Sequence, residues 1–124
     1  MSYKKKKALI FGISGQDGIY LSKLLIDKNY TVIGTSRIKR NDISNFKKVG
    51  ITKKIKIYKI NPQNEKEVKN IIKLTHCNEI YYFSGISSVS YSFKHIEETL
   101  IANTKGIINI LESCRLINKK IKIY

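Results

Sequence analysis

The sequence predicts an α/β fold, in which helices cover both faces of a parallel, doubly wound sheet of about five strands. Strand-like and helix-like segments alternate along the 124 residues. Three glycines spaced three apart, Gly12, Gly15 and Gly18, separate the first apolar strand from the first helix. Right-handed crossovers between parallel strands then give the order 3-2-1-4-5, with a ligand site where the order reverses, beyond the carboxyl ends of the strands.

Short apolar or alternating runs predict the strands, and longer segments of helical periodicity predict the helices. The predicted strands are residues 7–11, 30–35, 54–60, 79–83 and 121–124. The predicted helices are residues 16–28, 65–75 and 95–118. Residues 38–53 are polar and basic and predict a loop with one helical turn around 44–48, and small residues predict a loop over 84–92.

Apolar spacing also predicts which helix residues enter the core. The first helix should bury Leu21, Leu24 and Leu25, and the second should bury Val68, Ile71, Ile72 and Thr75. The third helix is apolar around much of its circumference, at Leu100, Ile101, Ile107, Ile108, Leu111 and Cys114.

Length and composition restrict the class of protein. A chain of 124 residues corresponds to one domain, residues 1–124, and it has no run of about 18 apolar residues that would span a membrane. Lys4 to Lys7 precede only a short apolar run, which predicts a strand rather than a signal peptide. Cys77 and Cys114 lack metal-ligand spacing and are predicted to be ordinary helix residues in a reducing compartment, so we expect a cytoplasmic protein without a metal site.

The net charge of +15 raises the question of a nucleic-acid partner. The 24 basic residues are mostly lysines scattered over the whole length, and they do not cluster on one helix or around stacking aromatic residues. We therefore expect neither a nucleic-acid nor a membrane partner, although the charge should attract anionic ligands in general.

The glycine loop has the pattern of a pyrophosphate-binding turn. Gly12 permits a tight turn after the strand, Gly15 permits close approach of a phosphate, and Gly18 permits close packing of the helix on the strand. The helix N-terminus adds free N–H groups and the positive end of its dipole. The predicted cofactor-binding residues of this loop are Gly12, Ile13, Ser14, Gly15, Gln16, Asp17 and Gly18.

The segment from Gly12 to Leu21, GISGQDGIYL, resembles the fingerprint of the GDP-mannose 4,6-dehydratase family. That family is an extended branch of the short-chain dehydrogenase/reductase superfamily and has a Rossmann-like cofactor domain. Gln16 and Asp17 distinguish it from sugar epimerases, which usually carry an Ala-Gly-Phe-Ile-Gly type of sequence here. The resemblance implies the cofactor NADP and a lyase reaction, the conversion of GDP-mannose to GDP-4-keto-6-deoxymannose.

Arg37 favours NADP over NAD. An NAD site usually has a carboxylate near the end of the second strand, whereas this chain has none before Asp42 and instead places Arg37 there, followed by Lys39 and Arg40. The planar guanidinium matches a 2′-phosphate, and the resembled family also has an arginine at this position. The alternative is a group of solvated loop cations.

The third strand ends at Asn61 and Pro62, where the resembled family has an acid that accepts a hydrogen bond from the adenine amino group. Asn61 can accept through its side-chain carbonyl but brings no charge. The alternative is a turn built by Asn61 and Pro62, and both interpretations can hold.

The loop after the fourth strand resembles the family segment that passes under the adenosine ribose and the pyrophosphate. The cofactor-contacting residues implied by this resemblance are Phe83, Ser84, Gly85, Ile86 and Ser87. Ile86 stands where the family commonly has glutamine, and Glu98 where it often has tyrosine. The family pattern in the third helix leaves two interpretations of Asn103, a brace for this loop or an exposed polar position.

The resemblance covers about the first third of the family's length. The Ser/Thr, Glu, Tyr and Lys that carry out the family's chemistry are not in this sequence, so we expect a truncated N-terminal portion that has no catalytic residues and is inactive alone. The alternatives are a non-catalytic NADP-binding or interaction module, and a fragment of another nucleotide-sugar epimerase or dehydratase. In extended family members the helix corresponding to residues 95–118 helps form a dimer, so a second copy is a candidate partner, and simple burial against the sheet is the alternative.

Overall fold

The computed structural model describes residues 3–37 and 44–124, and in these ranges strands and helices alternate as predicted. The strands are β1 (Lys7–Phe11), β2 (Thr31–Ser36), β3 (Ile55–Lys59), β4 (Glu79–Tyr82) and β5 (Lys122–Ile123). The helices are α1 (Gln16–Asp27), α2 (Ser44–Lys48), α3 (Glu65–Thr75), α4 (Val89–Lys94) and α5 (Ile96–Ile117), with a 3-10 turn at Thr52–Lys54. The predicted strands and their order are confirmed.

All strand pairs are parallel, and the sheet has the order β3-β2-β1-β4-β5. β1 lies at the centre, with Ile10 opposite Gly34 of β2 and Tyr81 of β4. Because successive side chains of a strand point to opposite faces, β1 contributes to two cores. Ala8 and Ile10 pack under α1 and α2, whereas Leu9 and Phe11 pack under α3 and α5.

α3 is built as its sequence predicts. Its buried residues are Val68, Ile71, Ile72 and Thr75, which is the predicted face. Asn64 caps its N-terminus by accepting a hydrogen bond from the backbone N–H of Glu67 at 3.2 Å. His76 closes the C-terminus in the left-handed conformation, with φ of 50°.

The sequence predicts that α5 is apolar around much of its circumference and leaves its inner face undetermined. Leu100, Ile101, Ile108 and Leu111 are exposed, and the helix rests on the sheet through smaller residues. The buried residues of α5 are Ala102, Gly106, Asn109, Ile110, Ser113 and Cys114. Small residues let the helix approach closely: a Cβ on Gly106 would overlap the hydroxyl of Tyr82, which donates a 3.0 Å hydrogen bond to the carbonyl of Ala102.

Two smaller predictions are corrected. Leu24 of α1 is half exposed, and Ile19, Ser22 and Leu25 face the core with Gly18. The loop predicted over 84–92 contains the start of α4, because Ser88 accepts a hydrogen bond from the N–H of Tyr91 and caps a short helix.

The two cysteines are both buried, and Cys77 follows α3 instead of lying in a helix as predicted. Burial raises the pKa of the Cys77 thiol, and burial raises the pKa of Cys114 to about 11. Both thiols are therefore protonated at neutral pH and behave as small apolar side chains.

The described part of the chain contains no helix that is long and apolar enough to cross a membrane. No cluster of three or more His, Cys, Asp or Glu side chains suited to a metal ion occurs within residues 3–37 and 44–124.

Candidate dinucleotide-binding site

The loops that follow β1, β2, β3 and β4 all lie at the carboxyl edge of the sheet. These loops and the first turn of α1, which begins with Gln16, Asp17 and Gly18, contain the predicted cofactor-binding residues. The strand order reverses between β1 and β4, so the loops after these two strands diverge and leave a crevice between them. This crevice has a volume of about 390 Å³. It is lined by Asp17, Tyr82, Phe83, Gly85, Ile86, Ser87 and Asn103.

Gly12 makes the sharp turn that begins the glycine loop. Its φ is +75°, a conformation that residues with a Cβ rarely adopt. The backbone N–H groups of Gly12 and Ile13 both donate to the carbonyl of Thr35, at 3.1 and 3.2 Å. These bonds fix the loop to the end of β2, and the side chain of Ile13 is fully buried in the core.

Gly18 and Gly15 differ in what surrounds them. A Cβ on Gly18 would lie 2.6 Å from the carbonyl oxygen of Ile13, so this glycine allows α1 to pack against the loop. A Cβ on Gly15 would meet, within the described part of the chain, only the carbonyl oxygen of Gly12, at an ordinary distance of 3.5 Å. Packing within the protein therefore requires a glycine at positions 12 and 18 but not at position 15.

The N-terminus of α1 carries unused hydrogen-bond donors. The first helical hydrogen bond runs from Ile19 N–H to the carbonyl of Gly15, at 3.0 Å. Within the described chain, the N–H groups of Gln16, Asp17 and Gly18 have no backbone acceptor. Such donors, together with the positive end of the helix dipole, form an anion-binding site.

Arg37 follows β2 directly and reaches across to the loop after β4. One of its terminal nitrogens donates a 3.0 Å hydrogen bond to the carbonyl of Ser84, which leaves the other guanidinium donors available. None of the ion pairs in the part of the chain that the structure describes involves Arg37. Its charge can therefore serve an anion, whereas Lys39 and Arg40 lie outside the described residues.

The Ser14 and Ser36 hydroxyls join the glycine loop to the end of β2, because their oxygens are 3.2 Å apart. Ser36 was not predicted as a site residue. Its position at the end of β2, directly before Arg37, could have indicated that it belongs to the site.

The turn interpretation of Asn61 and Pro62 is confirmed. The Asn61 side-chain oxygen accepts from the backbone N–H of Gln63 at 3.0 Å, which closes an Asx turn. The carbonyl of Pro62 accepts a buried 2.9 Å hydrogen bond from the amide of Asn109 on α5. This contact was not predicted, because Asn109 lies 47 positions from Pro62 on a helix whose inner face the sequence leaves undetermined.

Asn103 of α5 holds the loop after β4 with both ends of its amide. Its oxygen accepts from the N–H of Ile86 at 2.6 Å, and its nitrogen donates to the carbonyl of Ile86 at 3.1 Å. A Cβ on Gly85 would lie 2.7 Å from the same amide oxygen, so the glycine permits this close contact. Of the two interpretations left open for Asn103, these hydrogen bonds support the brace for the loop.

Tyr82 forms part of the crevice wall and was not predicted as a site residue. Burial raises the pKa of its phenol, and the nearby charge of Arg37 acts in the opposite direction. The phenol is thus protonated at neutral pH, and it donates its hydrogen to α5.

Comparison with known proteins places this architecture in a family. The family model described as GDP-mannose 4,6 dehydratase matches residues 9–124. GDP-mannose 4,6-dehydratase of Vibrio cholerae serotype O1 is 32% identical over 97% of this chain and 34% of its own length. The Dictyostelium discoideum GDP-mannose 4,6 dehydratase is 34% identical over 100% of this chain and 38% of its own length. The chain thus spans about a third of the length of the curated relatives it matches.

Solved structures show the same fold at lower sequence identity. The UDP-Glc/GlcNAc 4-epimerase of Campylobacter jejuni superposes with a TM-score of 0.81 at 18% identity, over 95% of this chain and 36% of that protein. The UDP-glucose 4-epimerase of Brucella ovis, solved in complex with NAD, has a TM-score of 0.80 at 15% identity, over 95% and 34%. The Rossmann-like fold that was predicted is confirmed, and the family match over residues 9–124 shows that this chain belongs to the GDP-mannose 4,6-dehydratase family.

Proposed function

We propose that residues 1–124 form one NADP-binding domain, and that it is the cofactor-binding portion of a GDP-mannose 4,6-dehydratase. One observation carries this proposal. The N-terminus of α1 is unobstructed, and Arg37, at the same edge of the sheet, has no ion-pair partner in the described residues. The family match supports GDP-mannose as the substrate and a lyase reaction for the whole protein.

The pyrophosphate fits the N-terminus of α1, beside Gly15, where N–H groups are unused and a Cβ is absent. The 2′-phosphate fits Arg37. The adenine fits the next strand end, at Asn61 and Pro62, because the order of strands continues from β2 to β3 at that side.

The loop from Phe83 to Ser87 fits the ribose and pyrophosphate from the opposite side of the crevice, with Ser84 and Ser87 as hydroxyl donors. When bound, NADP supplies the hydride acceptor for oxidation of the sugar. The residues of this chain bind NADP and hold it in position. We propose no described residue as a catalytic acid or base.

Replacing Arg37 by alanine should remove the preference for NADP. A charge-assisted contact with the 2′-phosphate contributes about 1.5–3 kcal/mol, so the parent chain should bind NADP roughly tenfold to a hundredfold more tightly than NAD. In Arg37→Ala the two affinities should become similar, as measured by calorimetric titration of both dinucleotides.

Arg115→Ala is the matched control, because Arg115 lies on α5 and pairs with Glu112 at 2.8 Å, away from the crevice. It removes the same charge and should leave the ratio of affinities unchanged. Equal affinities of the parent chain for NADP and NAD would disprove the role of Arg37.

We also propose a second copy of the chain as a partner, bound through α5. The exposed apolar residues Leu100, Ile101, Ile108 and Leu111 are spaced so that they share one side of the helix. Contiguous exposed apolar patches mark protein–protein interaction sites, which supports a contact through this side of α5.

Ile101→Glu should shift the chain toward the monomer, because it places a charge in the centre of this apolar surface. Asn70→Glu on the exposed side of α3 introduces the same charge elsewhere and should leave association unchanged. Sedimentation equilibrium measures both, and a parent chain that is monomeric at high concentration would contradict the proposal.

A further inference from the structure

A basic cavity lies at the amino edge of the sheet, opposite the candidate dinucleotide site. Its volume of about 380 Å³ falls within the range of roughly 300–1,000 Å³ that is typical of small-ligand sites. It is lined by Lys4, Lys5, Lys6, Lys7, His76 and Asn78. None of these lining residues, within the part of the chain that the structure describes, is acidic.

A groove of about 490 Å³ extends this surface along the starts of β2 and β3. The cavity and the groove share Lys7, and Thr75 of the groove directly precedes His76 of the cavity. The groove adds three further lysines, Lys53, Lys54 and Lys56. We refer to the cavity and the groove together as the basic edge. Because β4, β1, β2 and β3 are consecutive in the sheet, the basic edge extends across three strand spacings, about 14 Å.

Backbone hydrogen bonds fix the shape of the cavity. The N–H of Lys7 donates to the side-chain oxygen of Asn78 at 2.8 Å, and the N–H of Asn78 donates to the carbonyl of Lys7 at 2.8 Å. These bonds hold the start of β1 beside the start of β4. The side-chain nitrogen of Asn78 has no hydrogen-bond partner within residues 3–37 and 44–124, so it adds a donor to the lysine ammonium groups.

Most of the positive charge at the basic edge is not neutralised. Among the described residues, Lys6 pairs with Glu79 at 4.0 Å. The described ion pairs do not include Lys4, Lys5, Lys7, Lys53 or Lys54. The helices α1, α3 and α5 end at this edge, and each C-terminus carries about half a negative charge, so together they offset about 1.5 positive charges. An excess of positive charge therefore remains for an anionic ligand.

The lining residues favour a ligand that is recognised by its charge over a nucleic acid. Among the described residues of the basic edge, Tyr58 is the one Phe, Tyr or Trp residue. Its half-buried ring is already covered by the ammonium group of Lys56, which lies 5.2 Å from the ring centroid. Single-stranded nucleic acids stack their bases on exposed aromatic rings, and the basic edge offers no such ring among these residues.

We propose that the basic edge binds the phosphate chain of an oligophosphate, with the cavity at Lys4 to Lys7 as the principal contact. A chain of linked phosphates concentrates negative charge in a narrow ligand, which fits a concave cationic surface that crosses neighbouring strands. The lysines serve as point charges for the phosphate oxygens. The chain can be free or part of a nucleotide, because only its phosphates are contacted. This site is separate from the dinucleotide site and does not depend on the proposed function.

Calorimetric titration with tripolyphosphate at low salt tests this proposal. The double variant Lys4→Gln/Lys5→Gln removes two exposed cations that precede β1, so the fold should be retained. Loss of two charge-assisted contacts should weaken the binding of tripolyphosphate by about tenfold or more. Thermal unfolding followed by circular dichroism verifies that each variant is folded.

Lys66→Gln/Lys105→Gln is the matched control. It removes the same charge from exposed positions of α3 and α5 that do not line the basic edge. The affinity of this control for tripolyphosphate should remain close to that of the parent chain. Equal affinities of the parent chain and the Lys4→Gln/Lys5→Gln variant, or no binding by the folded parent chain, would overturn the proposal.

Backbone amide chemical shifts locate the bound anion. Tripolyphosphate should perturb the amides of residues 4–7 and 76–78. Perturbations confined to residues 12–18 would place the anion at the N-terminus of α1 and would overturn the proposal.

ATP distinguishes a free phosphate chain from a nucleotide. Because the basic edge provides no stacking ring for a base, ATP should perturb the same amides and bind no more tightly than tripolyphosphate. Binding of ATP at residues 4–7 that is more than about tenfold tighter would show recognition of the nucleoside and contradict the proposal. A single-stranded oligonucleotide, or a phosphatidylserine vesicle, that binds at these residues when tripolyphosphate does not would identify a different class of partner and also refute it.

Discussion

Gly15→Val is expected to abolish dinucleotide binding and leave the fold intact. The backbone of Gly15 is extended, with φ of −72° and ψ of 167°, a conformation that valine adopts without strain. Among the residues that the structure describes, only the Gly12 carbonyl oxygen, at 3.5 Å, lies within 4 Å of its Cβ position. The branched side chain would thus occupy the volume next to the unused N–H groups of α1, where the pyrophosphate is proposed to lie.

We expect a loss of affinity of more than about a hundredfold, which corresponds to roughly 2.7 kcal/mol. NADPH fluorescence titration measures the affinity, and thermal unfolding followed by circular dichroism measures the stability. Gly15→Ala adds a single methyl group and should lose less affinity than the valine variant. A folded Gly15→Val protein with the affinity of the parent chain would mean that the loop is only structural.

Gly12→Ala is expected to destabilise the fold itself. The left-handed backbone at φ of +75° costs a residue with a Cβ about 1–2 kcal/mol. The added carbon would also lie 2.6 Å from the backbone carbonyl oxygen of Phe83, which cannot move without displacing the end of β4, and such overpacking costs a further ~1–3 kcal/mol. The combined loss is a large share of the roughly 5–15 kcal/mol that stabilises a typical domain.

Gly50→Ala provides the matched control for this prediction. Gly50 has nearly the same backbone angle, with φ of +72°, but no atom of the described residues lies within 4 Å of its Cβ position. Its substitution therefore carries only the conformational cost. Urea denaturation should show a larger loss of unfolding free energy for Gly12→Ala than for Gly50→Ala, and equal losses would show that the contact with Phe83 is unimportant.

The strands, their order and the glycine loop could be predicted from sequence because each has a local signal. The apolar run of β1 is followed at once by Gly12, and the parallel topology follows from the alternation of elements. The buried face of α3 was also predicted correctly, because its apolar residues occur on one side only.

The inner face of α5 could not be predicted because both of its sides look apolar. Close packing on β4 selects small residues such as Gly106, whereas periodicity analysis assigns the core to the largest apolar side chains. The polar contacts of the site were hidden for a related reason. The bonds from Asn103 and Asn109 join positions far apart in the sequence, and no local pattern marks their partners.

Two side chains of the single helix α5 hold the loops on the two sides of the site. Asn103 holds the loop after β4 and Asn109 holds the turn after β3, and the two residues are about 9 Å apart along the helix axis. The spacing between these two loops is therefore set by the position of a single helix. A displacement of α5 therefore moves both loops together. Because coupling is reciprocal, a ligand that binds both loops also restrains the position of α5.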